Sequence, residues 1–320
     1  MKKRLLLHIG TGKTGSSTIQ SYLRRRLKTL QSQGIDYPLP PSWSNQGIVT
    51  AMFREDTALS RGLKSEIYRL ESSISNIRRD VDRSLRDSIK IFDNVIVSTE
   101  FFCQFSAIEV SRVREYFNSI GFDEFLVVCF FREPISYYTS WVQQHIKASS
   151  TFIPPREFNP RYKEIERAWR GSFSSDFLVT PFDPAGLRDP FVEALRIIGD
   201  FFDADLPYDP AGDRPTNASI SAEGMEVVRQ HRQIIYPYQD NIPNPNTQKL
   251  ISSIQRIENQ NNINLSRPEI RDVYKLQILN HCRSDIEHII NNNYFDSSLF
   301  ALSAKASPKV HPTDPKKFPT

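Results

Sequence analysis

Apolar positions along the chain fall into two kinds of run, short continuous ones and longer ones with helical period. Leu5, Leu6, Leu7, His8 and Ile9 make a run too short for a helix and stopped by Gly10, which predicts a strand. From Ser16 onward, Ile19, Tyr22, Leu23, Leu27 and Leu30 recur every three or four positions, predicting a helix that ends near Gly34. Residues 34–38 read as a short strand closed by Pro38, and 39–47 as a loop. Leu63, Ile67, Leu70, Ile74, Ile77, Val81 and Leu85 predict one long amphipathic helix over about 60–90. Residues 94–100 (NVIVSTE) and 124–131 (EFLVVCFF) read as buried strands with a helix over 106–119 between them. Pro134 marks the first position of a helix reaching about Lys147. A proline-rich loop at 149–160, a helix near 161–170, a strand at 177–182 and a helix at 189–202 follow. Beyond that only helical periods remain, near 221–235, 246–259 and 268–293.

Strands alternating with helices predict an α/β fold of three layers, a central parallel sheet with helices on both faces. Residues 1–300 read as a single domain, with a core over 1–205 and a helical elaboration over 206–300 covering the edge of the sheet where the chemistry lies. Residues 301–320, rich in lysine and proline, read as a flexible tail.

Composition narrows the classes. In 320 residues, 39% apolar and 11% aromatic content suffices for a sizeable core. The net charge of +4 is mild and spread along the chain, so it gives no argument for a nucleic-acid protein; it suits a binder of polyanionic cofactors and equally an ordinary soluble surface. Cys103, Cys129 and Cys282 lack metal-ligand spacing and read as reduced thiols of a cytoplasmic protein. No run approaches the roughly 18–20 apolar residues of a membrane span. The basic start Met1-Lys2-Lys3-Arg4 precedes an apolar run too short for a signal peptide.

The candidate chemistry begins where the first strand ends. Gly10, Thr11, Gly12, Lys13, Thr14 and Gly15 form a small-residue loop, and Ser16, Ser17 and Thr18 open the helix after it. Such a junction gathers backbone N–H groups and the positive end of a helix dipole, with hydroxyls and Lys13 adding donors and charge. The ligand it suits carries phosphate or sulfate. Gly12-Lys13-Thr14 supplies the end of a nucleoside-triphosphate P-loop, but the glycine that motif needs five residues earlier is Leu7. A kinase loop of altered length and a helix start with an incidental lysine are the alternatives.

Two more strand ends carry polar groups. Arg132, Glu133 and Pro134 follow the second buried strand, and Ser140 lies eight residues beyond the arginine. In open parallel sheets, ligands bind outside the carboxyl ends of the strands, so Arg132 belongs to the same edge as Lys13. Its planar fork suits an oxyanion. Ser98-Thr99-Glu100 ends another strand, and Glu100 is a candidate proton acceptor; a helix cap or a lysine partner is the plainer role. His8 is the rival base, although its place inside a strand fits a core histidine. Tyr137, Tyr138 and Trp141 suit core packing first and a pocket lining second.

Lys13-Thr14-Gly15-Ser16-Ser17 after one strand, and Arg132-x-Pro134 with Ser140 after another, resemble the two phosphate sites of sulfotransferases that use PAPS (3′-phosphoadenosine 5′-phosphosulfate), of the bacterial and carbohydrate type. Ser98-x-Glu100 is similar to a strand end in those enzymes. The resemblance implies a P-loop-NTPase-like sulfotransferase fold. It also implies sulfuryl transfer to a hydroxyl or amine, on a carbohydrate or glycoconjugate acceptor, releasing adenosine 3′,5′-bisphosphate without a metal. Gly12, Lys13, Thr14, Gly15, Ser16, Ser17 and Thr18 would hold the 5′-phosphosulfate, Arg132 and Ser140 the 3′-phosphate, with Glu100 as base. Arg214, Asn217 and Ser219 resemble an Asn-x-Ser-Leu-Ser stretch of bacterial members. A variant-loop kinase and a catalytically silent nucleotide binder remain the alternatives.

Overall fold

Residues Arg4–His8 form the strand β1, and the buried run Leu5, Leu6, Leu7 places it in the middle of a sheet. The computed structural model describes residues 2–40, 43, 46–182, 189–209, 220–239, 242, 244–260 and 266–300. In chain order there follow α1 (Ser16–Arg25), α2 (Leu27–Ser32), β2 (Ile35–Asp36), α3 (Arg61–Arg69), α4 (Ile74–Ile91), β3 (Asn94–Ser98), α5 (Ala107–Ser119) and β4 (Glu124–Arg132). Then come α6 (Pro134–His145), α7 (Tyr162–Phe173), β5 (Phe177–Phe182), α8 (Pro190–Phe202), α9 (Ala222–Ile235), α10 (Pro245–Gln260), α11 (Asp272–His281) and α12 (Arg283–Asn291).

The five strands make one sheet in the order β2-β3-β1-β4-β5, with every neighbouring pair parallel. This is the α/β architecture the alternation predicts. Because side chains alternate along a strand, Leu6 faces one layer and Leu5 and Leu7 the other. On the first face Leu6, Ile96, Val128 and Phe130 pack against Ile19, Tyr22 and Leu23 of α1 and Leu195, Ile198 and Phe202 of α8. On the second, Phe131 stacks on Tyr162 at 4.4 Å between ring centroids, and Phe125 meets Phe173 at 5.6 Å, so α7 covers that side. Each fully buried leucine of β1 contributes about 1.5–3 kcal/mol over an exposed one.

The single helix expected over 60–90 is corrected to two. Glu71 takes a left-handed φ of 49°, and Ser73 caps α4 by accepting from the Asn76 N–H at 3.1 Å. Serine at that place offers the backbone a better start than a continued helix. The helix read over 268–293 likewise divides at Cys282, whose thiol donates to the Phe158 carbonyl, and the first helix divides at Arg26. The end of the loop read over 39–47 belongs to a 3₁₀ turn, Gln46–Met52.

The chain forms two compact units. The first comprises Met1–Arg132 and Tyr162–Thr216 and holds the sheet. The second comprises Glu133–Arg161 and Asn217–Thr320, so α6 and the segment after it join the late helices. Its core includes Tyr138, Val142, Phe158, Met225, Val228, Ile251, Ile278 and Ile286. Tyr138 and Trp141 stack within it, and the Tyr138 hydroxyl donates to the Ile153 carbonyl, the packing role given to this aromatic group. Ser221 caps α9 by accepting from the Gly224 N–H at 2.9 Å. The expected tail at 301–320 lies outside the described residues. Among the described residues no helix is long and apolar enough to cross a membrane.

Candidate functional site

The loop after β1 is shaped by its neighbour β4. The Ile9 N–H donates to the Val128 carbonyl at 2.9 Å, and Thr11 gives both its N–H and its hydroxyl to the Phe130 carbonyl, at 3.3 and 2.8 Å. The chain then turns through three positive φ angles, 29° at Gly10, 66° at Lys13 and 77° at Gly15. The Thr14 hydroxyl donates to the Thr11 carbonyl at 2.6 Å and closes the turn. Gly15, left-handed, caps α1 without a side-chain acceptor, and no acidic residue stands in the first turn. Ser16 and Ser17, the first two helical residues, have N–H groups beyond the reach of the i−4 ladder, at the positive end of the dipole. An anion there meets donors and no competing carboxylate from the helix itself.

The hydroxyls expected to cradle a phosphate are not equivalent. Ser17 is exposed, Thr18 is buried, and Thr14 is buried and donates inward. Ser16 is buried, and its Oγ lacks a hydrogen-bond partner. A Cβ on Gly10 would fall 2.6 Å from that Oγ, 3.3 Å from Nε2 of His8 and 3.5 Å from Oγ1 of Thr14. Glycine therefore keeps open a small polar niche under the loop. Nε2 of His8 is also without a partner there.

On its other side His8 is held firmly. Its Nδ1 lies 2.7 Å from Oγ of Ser98, in register on β3. The Ser98 N–H donates to Oε1 of Gln46, and Nε2 of Gln46 donates to the carbonyls of Pro38 and Ile96. Burial pushes the His8 pKa down to about 4, so at neutral pH the ring is uncharged. A sealed imidazole of that pKa is a poor base, and His8 acts as a buried strut. Gln46 carried no signal in the sequence, because its task depends on a fold that brings residues 38, 46 and 98 together.

Lys13 and Arg132 meet as expected from the two strand ends. Nη1 of Arg132 donates to the Lys13 carbonyl at 2.8 Å, and its Cζ stands 5.2 Å from the centroid of the Phe182 ring. Arg132 thus fastens the left-handed residue of the loop while stacked on an aromatic face. Phe182, which closes β5, also lies 3.5 Å from where a Gly15 Cβ would stand. The connections after β1 and β4 leave the sheet towards opposite edges, the arrangement that opens a crevice at strand carboxyl ends.

Glu100 is half-buried at the start of a 3₁₀ turn after β3. Thr99 caps that turn, accepting from the Phe101 N–H, so the Glu100 carboxylate is not spent as the cap. Burial raises its pKa above the ordinary carboxyl value, and the nearby charge of Lys13 pulls the other way without prevailing. Gly12, Lys13, Thr14, Gly15, Ser16, Ser17, Thr18, Arg132 and Glu100 all belong to the first unit. Ser140 stands half-buried on α6 in the second. Arg214, Asn217 and Ser219 lie outside the described residues.

Among the described residues no group of three or more His, Cys, Asp or Glu side chains could hold a metal ion. No protein-family model matches the chain, and no curated protein is significantly similar to it.

Proposed function

We propose that the protein is a PAPS-dependent sulfotransferase acting on a hydroxyl or amine, with a carbohydrate or glycoconjugate as the acceptor class. The observation that carries this reading is the loop at 10–15. It is a tight turn with three positive φ angles, a helix N-terminus free of carboxylates, Lys13 at its tip and Ser16 with a buried, unpartnered hydroxyl. These features fit the 5′-phosphosulfate end of the cofactor, and Arg132 fastened to the same loop fits its second phosphate.

In this reading Gly12, Thr14, Gly15 and the first turn of α1 bind the 5′ end through backbone N–H groups, with Ser16 and Ser17 supplying hydroxyls. PAPS, when bound, supplies the sulfuryl group and a phosphate leaving group. Lys13 neutralises negative charge developing on the leaving side, an interaction stronger in the transition state than in the ground state. Glu100, whose basicity burial raises, takes the proton of the acceptor. As in phosphoryl transfer, alignment and charge carry most of the catalysis. The assignment of Ser140 to the 3′-phosphate rests on the sequence spacing alone.

The test is an acceptor screen with labelled PAPS across glycans, glycolipids and phenols, beside calorimetry with adenosine 3′,5′-bisphosphate, adenosine 5′-phosphate and ATP with Mg²⁺. Transfer of label and preference for the bisphosphate support the reading. Preference for ATP with Mg²⁺ would favour a kinase, and tight bisphosphate binding with no transfer to any acceptor a silent binder.

A further inference from the structure

β3 outruns its outer neighbour. The ladder between β2 and β3 pairs Ile35 with Asn94 and Asp36 with Val95, and there β2 ends. Among the described residues no strand flanks β3 on that side beyond Val95. A parallel partner opposite Val97 would donate an N–H to the Ile96 carbonyl and accept the Ser98 N–H.

The side-chain amide of Gln46 makes those same two bonds. Its Nε2 donates to the Ile96 carbonyl at 3.3 Å, and its Oε1 accepts the Ser98 N–H at 2.6 Å. The other hydrogen of Nε2 goes to the Pro38 carbonyl at 2.7 Å, just past the end of β2. Gln46 is fully buried, and its partners settle the amide orientation. The reverse would set N–H₂ against the Ser98 N–H and an oxygen against two carbonyls. One side chain thus does the work of a residue of the missing strand. It is itself held in place, because it opens the turn Gln46–Met52. In that turn the Thr50 hydroxyl donates to the Gly47 carbonyl, and Nε of Arg78 on α4 donates to the Ala51 carbonyl, both at 2.7 Å.

This bridge secures the approach to Glu100. Gln46 fastens Ser98 from the outer edge, while the Thr99 N–H donates inward to the His8 carbonyl at 2.9 Å. The next residue is Glu100, at the start of the turn that Thr99 caps. We infer that Gln46 is a positioning residue for Glu100: its amide replaces the missing strand beside Ser98 and so fixes where the Glu100 carboxylate stands. Its effect on turnover rests on the reading of Glu100 as the base; its effect on the strand end does not. Without the bridge, the Ser98 N–H and the Ile96 carbonyl lose these partners and the end of β3 opens to water. The burial that lifts the Glu100 pKa is then reduced.

The experiment compares the full chain with Gln46→Met, which keeps the length and removes both hydrogen-bonding functions. Amide exchange over 94–101 should quicken by about tenfold or more. The Glu100 carboxyl, followed by NMR of glutamate-labelled protein and assigned with Glu100→Gln, should titrate closer to the ordinary carboxyl value than in the parent. With labelled PAPS and an acceptor, kcat should fall by about tenfold or more. Bisphosphate affinity should stay within about twofold, because the Gln46 bonds do not reach the loop at 10–15. If Gln46→Met does not fold, Gln46→Glu takes its place. At about pH 5 a buried carboxyl keeps its proton and offers one O–H and one C=O, so exchange should match the parent. That protection should be lost as the carboxyl ionises and its oxygens face two carbonyls. Protection already lost at pH 5, or kept after ionisation, overturns the inference. Faster exchange in Gln46→Met with the Glu100 titration and kcat unchanged overturns it as well, leaving Gln46 a support of the sheet alone. So do unchanged exchange and an equal loss of kcat and bisphosphate affinity. If the parent transfers label to no acceptor, the sulfotransferase reading fails, and exchange with the Glu100 titration still decides the role of Gln46.

Discussion

Lys13 draws the pKa of Glu100 down while burial drives it up, and burial prevails. A carboxylate beside a lysine would ordinarily be a weak base; here desolvation restores its basicity. Glu100→Gln should therefore lower kcat by roughly 100-fold or more, with bisphosphate affinity retained. Near-normal turnover of this variant would assign the proton transfer to another residue. Stability gives an independent reading. Native Glu100 holds its proton to higher pH than the unfolded chain, so its contribution falls as pH rises from about 4.5 through the raised native pKa, then levels off. Urea unfolding across that range should show Glu100→Gln gaining stability over the parent as pH rises.

Replacement of Lys13 by alanine separates catalysis from binding. It should depress kcat far more than it weakens ground-state PAPS binding, because the contact strengthens as charge develops. The same change removes the opposing field at Glu100, so the Glu100 carboxyl should titrate at still higher pH by NMR. Turnover within about threefold of the parent would make Lys13 an ordinary loop lysine.

Arg132 has two tasks that one comparison can divide. Arg132→Ala releases the Lys13 carbonyl and so should weaken every ligand of the loop. If the guanidinium also binds a 3′-phosphate, the bisphosphate should lose roughly 1.5–3 kcal/mol more than adenosine 5′-phosphate does. Equal losses for the two nucleotides would limit Arg132 to fastening the loop.

Gly10→Ala tests the niche. A methyl group there meets Oγ of Ser16 at 2.6 Å on a backbone with φ of 29°, so strain and crowding combine. About 1–3 kcal/mol of stability should be lost, and anion affinity with it, by thermal unfolding and calorimetry. An unaltered protein would mean that the loop relaxes freely.

His8 sets an acid limit. Its native pKa of about 4 lies below the ordinary 6.5, so the native state resists protonation. Its contribution is intact above about pH 6.5 and is lost as pH falls towards 4, by roughly 3 kcal/mol in total. His8→Gln should flatten the slope of unfolding free energy between those pH values. A slope identical to that of the parent would place the acid sensitivity elsewhere.

The strands were legible because a parallel sheet buried on both faces writes itself as continuous apolar runs, as in 124–131. The loop was legible for a similar reason: glycine, hydroxyls and lysine between strand and helix are a local pattern. The break at Glu71 was hidden because Leu70 and Ile74 keep the helical period across it, and a period cannot register one left-handed residue. Gln46 and Phe182 were invisible for a different cause. Ile96 and Ser98 for Gln46, and Arg132 for Phe182, lie far away in the chain, and neither residue type is unusual where it stands. The membership of α6 in the helical unit was hidden in the same way, since Tyr138 and Val142 meet their partners only in three dimensions.

The central place of β1 has a consequence for how the protein acquires its site. Arg4 pairs with Asn94 on one side and Glu124 on the other, so the strand that launches the loop is flanked only after long stretches of chain have closed. Closing such spans carries an entropic cost before any ladder hydrogen bond compensates, and folding dominated by distant pairings is slow. During synthesis the loop at 10–15 leaves the ribosome before the Val128 and Phe130 carbonyls that shape it, which emerge more than a hundred residues later. Anion affinity at this loop is therefore a late event of folding, gained together with the sheet and not with the segment that encodes it.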